Sequence, residues 1–304
     1  ISLLESFSSF RMPISSYSPL SSFFGKDPIN LIQTDLPFYY GGLRPPTGFH
    51  WNTNDLALVM VISLPFFLCN KKIFIKAFGI ISISTIIIMT SSRAVFLGLI
   101  LIYILYLVVV KKKIGTICLI WSVIFFLFMG IQHLKESENP RINELANIAE
   151  AITLYLKGDI DIGGSVGWRR ELIDNGLYAF YQTKGFGIGA GGTVAIQESI
   201  GPVDGRFTSM HNFWIELLVE GGILATFIIA IWYLKTSYKL LLISRWSKNE
   251  TEKYFSQSLF LSMIAFIPSA VAASSTIYFF PMWLMFGFST SLVNLLDKEK
   301  LIQV

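Results

Sequence analysis

The sequence is poor in charged residues, in cysteine and in histidine. Asp, Glu, Lys and Arg make up only 14% of its 304 residues, and hydrophobic residues make up 53%, whereas soluble domains carry about 25% charged residues. Two cysteines, Cys69 and Cys118, lie in or beside apolar runs, so a disulfide framework is not expected. Three widely spaced histidines, His50, His133 and His211, form no metal-ligand pattern. These shortages exclude an ordinary soluble domain, and they predict a membrane protein with no metal, no other cofactor and no nucleic-acid partner.

The apolar residues are bunched into runs that are long enough to cross a bilayer. A helix needs about 17–25 apolar residues to span roughly 30 Å of hydrocarbon. The seven candidate spans are residues 55–69, 73–90, 94–110, 114–131, 212–234, 254–272 and 275–295. We therefore expect an all-α fold, a polytopic helical bundle. The chain begins at Ile1 rather than Met, and we expect its N-terminus to be truncated unless that end is itself translocated.

The basic residues predict which connections face the cytoplasm. Thirteen of the 24 Lys and Arg residues follow the first, third, fifth and seventh runs, and short basic loops stay in the cytoplasm. Residues 1–54 and 132–211 then face outward, and the latter segment has seven basic and ten acidic residues. We predict a protein of the cytoplasmic (inner) membrane. Its segments are an extracytoplasmic stretch 1–54, four spans in 55–131, an extracytoplasmic helical loop 132–211, and three spans in 212–304 with a cytoplasmic C-terminus.

Helical periodicity continues inside the 132–211 loop. Apolar residues recur at helical spacing over 141–156, which predicts an amphipathic helix. Glycines between Gly158 and Gly167 end that helix, and a second helix is expected from Trp168 to Thr183. The apolar stripe of the second helix is predicted to be Leu172, Ile173, Leu177, Phe180 and Tyr181.

Arginines at two places are candidates for binding an anion. Arg169 and Arg170 open the second loop helix, where a cation opposes the helix dipole, and this favours an external anion such as phosphate. The alternative is a solvated pair beside Glu171 and Asp174. Arg93 lies at the turn of a helical hairpin formed by 73–90 and 94–110, where it either contacts a ligand or snorkels to the headgroups.

His211 and the polar residues after it form a second candidate group. An imidazole at the edge of a span can act as a base or as a phosphate donor, or it can be an interfacial histidine with a satisfied hydrogen bond. Asn212, Glu216 and Glu220 follow at four-residue spacing and share one helix face. Carboxylates inside an apolar run usually face a bundle interior, so a packing role competes with a site role.

Glycines crowd residues 185–192, just before this group. The pattern looks like a dinucleotide loop, but no strand precedes it. It is interpreted either as a flexible connection with backbone angles open only to glycine, or as a close backbone approach to a ligand.

Four stretches together resemble the O-antigen ligase and polysaccharide polymerase superfamily. They are GWRRELIDNGLYAFYQTKGFGIGAGG (167–192), HNFWIELLVEGGILATFIIAIWYL (211–234), RPPTGFHWNTND (44–55) and TSSRA (90–94). The resemblance covers roughly residues 40–295 and includes teichuronic-acid or capsule polymerase-like members. It implies a metal-independent, inverting glycosyltransferase that takes a glycan from an undecaprenyl-diphosphate carrier on the outer face of the membrane.

The resemblance also implies roles for individual residues. His211 and Arg169 match the catalytic positions, and the diphosphate-binding candidates are Arg93, Arg170 and Arg44. Secondary candidates are Asn212, Glu216, Glu220 and Arg206. The implied partners are an undecaprenyl-diphosphate-linked saccharide, a glycan or lipid acceptor, and membrane lipids. Polymerase and ligase activities both remain open, and the rival from another class is a transporter or flippase of the same lipid-linked glycan, for which discontinuous helices are expected.

Overall fold

The computed structural model describes residues 1–8, 10–15, 17–24, 45–90, 92–113, 165–203, 208–274, 277 and 279–302. All the regular elements in these ranges are helices, which confirms the all-α fold class. They are α1 (Ser2–Phe7), a 3-10 helix (Pro19–Phe24), α2 (Thr53–Leu68), α3 (Ile73–Thr90), α4 (Arg93–Leu105), a π-helical turn (Tyr106–Val110), α5 (Ser165–Gln182), α6 (Gly192–Ile200), α7 (Phe213–Trp246), α8 (Glu250–Ser269) and α9 (Phe280–Ile302).

The chain divides into two compact units. One comprises residues 1–103 and 171–304, and the other comprises residues 104–170. The described part of the second unit is limited to the π-helical turn with its flanks and the start of α5. The site described below belongs to the first unit, apart from Arg169 and Arg170.

Six of the seven predicted apolar runs form helices in the described residues. Four have ends within about four residues of those predicted, whereas the run 212–234 extends to Trp246 and the run 275–295 becomes Phe280–Ile302. In the part of the chain that the structure describes, three helical segments are long and apolar enough to cross a membrane: Ile73–Thr90, Arg93–Val110 and Phe213–Trp246. The chain is thus a helical membrane protein, and the total number of spans stays a prediction. The predicted span 114–131 and the predicted loop helix 141–156 lie outside the described residues.

Helix α8 is the centre of the described bundle, where it packs against α2, α7 and α9. Small and hydroxyl-bearing residues allow this close approach. The Ser262 hydroxyl lies 2.6 Å from the carbonyl oxygen of Ile62 in α2. A Cβ atom at Gly98 of α4 would lie 2.2 Å from the Ser269 hydroxyl, so α4 also reaches the last turn of α8. The end of the bundle where α8 ends and α2, α4 and α7 begin is called the His211 end below.

Helix α7 does not run straight. Gly222 has φ +76° and ψ 176°, which no helix accommodates. The ring centroids of Trp214 and Tyr233 are 5.4 Å apart, whereas 19 residues of continuous helix would separate their Cα atoms by about 28 Å. The helix therefore folds back at Gly222 into a first arm (213–221) and a second arm (223–246). The expected single span over 212–234 is corrected accordingly.

Length explains why one arm suffices to cross the bilayer. The full 34 residues of α7 would extend about 51 Å as a straight helix, well beyond the hydrocarbon core. The second arm alone, 24 residues long, reaches about 36 Å. The first arm is consequently available to pack across the end of α8, where the Phe213 ring lies 5.4 Å from Phe266.

The predicted hairpin is present, and so is the second loop helix. α3 ends at Thr90 and α4 begins at Arg93, so Arg93 lies at the turn, where it is exposed. α5 begins three residues before the predicted start, and Leu172 and Phe180 are buried as expected. Tyr181 was wrongly placed in the apolar stripe, since its side chain is 71% exposed.

Candidate functional site

The glycine turn (185–189) fits into the break in α7. The amides of Ile188 and Gly189 donate to the carbonyl oxygens of Val219 and Glu220, each at 3.0 Å. In return, the amide of Ile223 donates to the carbonyl oxygen of Gly185 at 3.0 Å. The turn thus supplies partners for the backbone groups that a helix break leaves unsatisfied.

Glycine is required in this turn by angle and by space. Gly185, Gly187 and Gly189 have φ values of +85°, +87° and +88°. A Cβ atom at Gly187 would lie 2.5 Å from the carbonyl oxygen of Glu220, which side chains do not tolerate. The prediction of backbone angles open to glycine is thus confirmed, whereas hydrogen bonds to α7 join what was expected to be a flexible connection to that helix. The backbone of the turn does approach another group closely, as the alternative predicted, but that group is the backbone of α7 rather than a ligand.

The carboxylate of Glu220 ties the first arm to α6. Its Oε1 atom accepts from the Thr193 hydroxyl at 2.5 Å and from the Thr193 amide at 3.3 Å. Thr193 lies in the first turn of α6, where a carboxylate is favoured by the free amides and the helix dipole. Asn175 of α5 in turn donates to Gln197 of α6 at 3.3 Å. Glu220 is thus part of a polar chain that connects α5, α6 and α7.

The predicted stripe of Asn212, Glu216 and Glu220 is buried along its whole length. Glu216 is only 1% exposed. The Asn212 side chain accepts from the amide of Ile215 at 3.3 Å, so it caps the first arm. This capping contact gives Asn212 a structural role whether or not it also contacts substrate.

His211 is held in a strained backbone conformation immediately before the first arm. Its φ of +52° lies in the left-handed region, which few residues other than glycine adopt. It stands between the buried residues Met210 and Asn212. The amide of Phe213 donates to the carbonyl oxygen of Ala270 at 3.1 Å, which fixes this segment against the end of α8. Strain of this kind persists where the surrounding structure enforces it, and it clusters at functional sites.

The first turn of α2 reaches the same region through the loop after α8. Asp55 accepts from the amide of Ser274 at 3.0 Å, and the Asn52 amide group donates to the Ser274 hydroxyl at 2.5 Å. Since Ser274 follows Ala270 by four residues, the HWNTND stretch lies at the His211 end, beside the start of the first arm. The tertiary structure thus brings together the HWNTND stretch and the segment that begins at His211. In the sequence, only the family resemblance had linked them.

A buried carboxylate fixes the chain that leads into α2. Glu5 is fully buried and accepts from the amides of Met12, Thr47 and Gly48 at 3.1, 2.9 and 2.6 Å. The N-terminal segment is thereby joined to the residues before α2. His50 follows directly and lies 5.9 Å from the Phe279 ring, centroid to centroid. Burial lowers the pKa of His50 below its usual value.

The predicted arginines do not all belong to this assembly. Arg93 is exposed at the start of α4, whose Gly98 contacts α8 near the His211 end. Arg169 is partly buried and Arg170 is exposed. They are the fifth and sixth residues of α5, so they lie in its second turn and do not open the helix as predicted. These two belong to the second compact unit, so a shared role with His211 stays a prediction. Arg44 and Arg206 lie outside the described residues.

An apolar groove of about 550 Å³ opens between the two arms of α7 and α9. Its lining starts at Phe213, two residues after His211, and continues down the second arm to Trp232. The remaining lining residues are Leu217, Ile229, Ile277, Trp283, Phe286, Gly287, Thr290 and Ser291. A groove with this lining suits a hydrocarbon chain.

Several elements of the site were not anticipated from the sequence. Thr193, Ser274 and Glu5 are the partners that fix its parts, and none carries a local signal of long-range pairing. The Glu-Gly-Gly triplet at 220–222 was a visible signal for the break in α7, because paired glycines weaken a helix. Among the described helices, only α7 contains a non-helical glycine of this kind. The two corresponding discontinuous helices that a transporter would have are therefore not seen in the described part of the chain.

Comparisons with known proteins identify the family of the chain. The family model described as "O-Antigen ligase" matches residues 78–230, half of the chain. The "Teichuronic acid biosynthesis protein TuaE" of Bacillus subtilis (strain 168) is 25% identical over 269 residues, which cover 84% of this chain and 53% of the relative. The chain thus spans about half the length of that curated relative. The match extends from α3 through the α5–α6 region into the second arm of α7, and the chain belongs to the O-antigen ligase family.

Proposed function

We propose that the chain is a membrane glycosyltransferase that polymerises or ligates undecaprenyl-diphosphate-linked glycans on the outer face of the cytoplasmic membrane. The observation that carries this proposal is the position of His211. It is a strained histidine at the first arm of α7, and the apolar groove begins two residues later. A lipid-linked sugar needs this combination, since its tail stays in hydrocarbon while its sugar reacts in water.

The proposed transfer exchanges one C–O bond for another. A hydroxyl of the acceptor sugar attacks the anomeric carbon of the donor from the face opposite the diphosphate. The bond between that carbon and the phosphate oxygen breaks, and the lipid diphosphate leaves with the bonding electrons. The acceptor's proton passes to the imidazole of His211 and from there to water. The configuration at the anomeric carbon is inverted by this single displacement.

Charge on the departing diphosphate must be stabilised by the protein. Arg169 is proposed to hold it through paired guanidinium donors, with Arg93, Arg170 and Arg44 as further diphosphate ligands. Groups fixed before the reaction stabilise developing charge without reorganisation. The family membership and the relation to a teichuronic acid biosynthesis protein support a glycan polymer as the product.

The buried network around the first arm supports this role by fixing His211. Glu220, Thr193 and the glycine turn hold one end of the arm, and the contact of Phe213 with Ala270 holds the other. Glu216 and Glu220 are accordingly proposed to position the first arm. Arg206, in the predicted loop 132–211, is proposed as a further phosphate ligand.

Product analysis separates the candidate activities. Protein in lipid nanodiscs is incubated with an undecaprenyl-diphosphate-linked repeat unit alone. A ladder of products indicates a polymerase, and product that forms only after a separate acceptor is added indicates a ligase. The same assay in EDTA should give unchanged rates if the transfer is metal-independent. Movement of the lipid-linked glycan across a vesicle membrane without any transfer would indicate the transporter and overturn the proposal.

Substitution of His211 tests the catalytic assignment directly. His211→Asn keeps a side chain that tolerates the left-handed backbone but removes the base. Transfer should fall by about 10²–10⁴ while thermal unfolding stays unchanged. Lys248→Gln, in an exposed connection between α7 and α8, is the control. Turnover of His211→Asn near that of the control would reject His211 as the base.

A further inference from the structure

A second apolar groove, also of about 550 Å³, lies beside the first residues of the second arm of α7. It shares no lining residue with the groove beside His211. One wall is the segment Lys184–Phe186 that opens the glycine turn, and Gly221 and the first residues of the second arm form the other. The lining residues from α7 are Gly221, Ile223, Leu224, Ala225, Phe227 and Ile228.

Lys184 is the charged residue of this groove. Its φ of +54° is in the left-handed region because it caps the end of α5. Its amide donates to the carbonyl oxygen of Tyr181 at 3.0 Å, and the next amide, of Gly185, donates to that of Phe180 at 3.2 Å. The Lys184 side chain is exposed and makes no ion pair with any residue that the structure describes, so its ammonium group is available to an anionic ligand.

The composition of the groove selects the class of ligand. Lys184 is the only polar side chain among the nine residues that line it. A saccharide would need hydroxyl, amide or carboxylate partners, and this lining offers none. An ammonium group above apolar walls instead matches one phosphate charge above a hydrocarbon chain. Phe186, which is 86% exposed, is placed to enter the bilayer beside that chain.

We propose that this groove binds an anionic phospholipid of the surrounding bilayer, with its phosphate at Lys184 and one acyl chain along 223–228. Gly185 lies in the wall of the groove, and Gly187 lies one residue beyond that wall. The bound lipid therefore holds the glycine turn against α7. It thereby stabilises the break that carries the first arm. The site is separate from the groove assigned to the lipid-linked substrate, and it does not depend on the proposed chemistry.

The test compares bilayers of two compositions without any glycan substrate. Wild-type protein is reconstituted in nanodiscs of phosphatidylcholine alone or with phosphatidylglycerol, and its thermal unfolding is followed. We expect phosphatidylglycerol to raise the Tm by about 2–4 °C. Native mass spectrometry of detergent-released protein should retain one tightly bound phosphatidylglycerol.

Two variants disrupt the site in different ways. Lys184→Gly removes the charge and relaxes the backbone, so in phosphatidylcholine its Tm should equal or exceed that of wild type. Ala225→Phe keeps the charge and fills the groove. Both should lose the phosphatidylglycerol-dependent shift and the retained lipid, whereas Lys248→Gln should keep them. A full shift in both variants would overturn the proposal, and so would retention of a glycan-bearing lipid in place of the phospholipid.

Discussion

The two ends of α7 are held by different physical means. The first arm is fixed by backbone hydrogen bonds between its last residues and the glycine turn, and by the buried carboxylate of Glu220. In the body of the bundle, the second arm packs through aromatic rings, and Tyr233 donates to the carbonyl oxygen of Met263 in α8. The first arm thus depends on particular backbone angles in itself and in the glycine turn. The second arm depends on side chains of the right size and on a few hydroxyl groups.

This difference predicts where substitutions are tolerated. Backbone docking fails when one atom is added at a close contact, because main-chain atoms cannot rotate away. Side-chain packing adjusts more readily, and hydrogen bonds within membranes contribute modestly. We make four predictions, given in order from the largest expected effect to the smallest.

Gly187→Ala should give the largest loss. The added Cβ would lie 2.5 Å from the carbonyl oxygen of Glu220, and the residue would keep a φ of +87°. Strain of about 1–3 kcal/mol then adds to a clash of about 1–3 kcal/mol. Gly189→Ala is the matched control, since its φ is +88° but nothing lies within 4 Å of the new atom. Equal unfolding free energies for the two variants would contradict backbone docking.

Arg169→Lys should reduce transfer without reducing folded protein. Lysine keeps the charge but lacks the planar pair of donors, so the rate should fall by about 10²–10³. Arg170→Ala, its neighbour in the same turn, should have a milder effect. Product formation is measured from a lipid-linked donor and normalised to folded protein. A larger loss with Arg170→Ala would assign the diphosphate to that arginine instead.

Ser262→Ala should weaken the bundle body slightly. The hydroxyl lies 2.6 Å from the Ile62 carbonyl oxygen and 2.9 Å from that of Ser258. Such hydrogen bonds contribute about 0.6 kcal/mol on average in membranes. Ser289→Ala is the control, because this buried hydroxyl has no hydrogen-bond partner among the described residues. Unfolding should show a small loss for Ser262→Ala and none for Ser289→Ala.

His50 should give the protein a weak dependence on pH. Its pKa is lowered by burial, so the unfolded chain binds a proton more readily than the folded protein does. The stabilisation is complete above the ordinary histidine pKa of about 6.5, and it is lost as pH falls through the lower, folded value. His50→Phe keeps a ring against Phe279 and should flatten the curve of Tm against pH in this range. An unchanged curve would show that other groups dominate.

Much of the fold was predictable because local signals are strong in membrane helices. The ends of α3 at Ile73 and Thr90 match the predicted run, and Arg93 marks the hairpin turn in both sequence and structure. The loop helix around Leu172 was also found from its periodicity. These features depend on residues close together in the chain, so hydropathy and spacing suffice to locate them.

The site was only partly predictable, because its contacts join distant segments. His211 was identified, and so was the stretch 44–55 that contains Asn52, but their convergence depends on Ser274 and Ala270 at the end of α8. Glu220 was taken as part of a straight span, and its partner Thr193 has no sequence signal. Residue identity restricts what each group can do, whereas its partner is set by packing.

By itself, the sequence determined an all-α membrane protein, the approximate positions of most of its long apolar helices, and a set of polar residues consistent with the O-antigen ligase family. Only the tertiary structure decided that α7 folds back at Gly222. Two adjacent glycines permit many conformations, and the break is stable because the turn at 185–189 supplies the hydrogen bonds that the helix gives up. Two separate grooves lie along the second arm, with a strained histidine near one and an exposed lysine in the other.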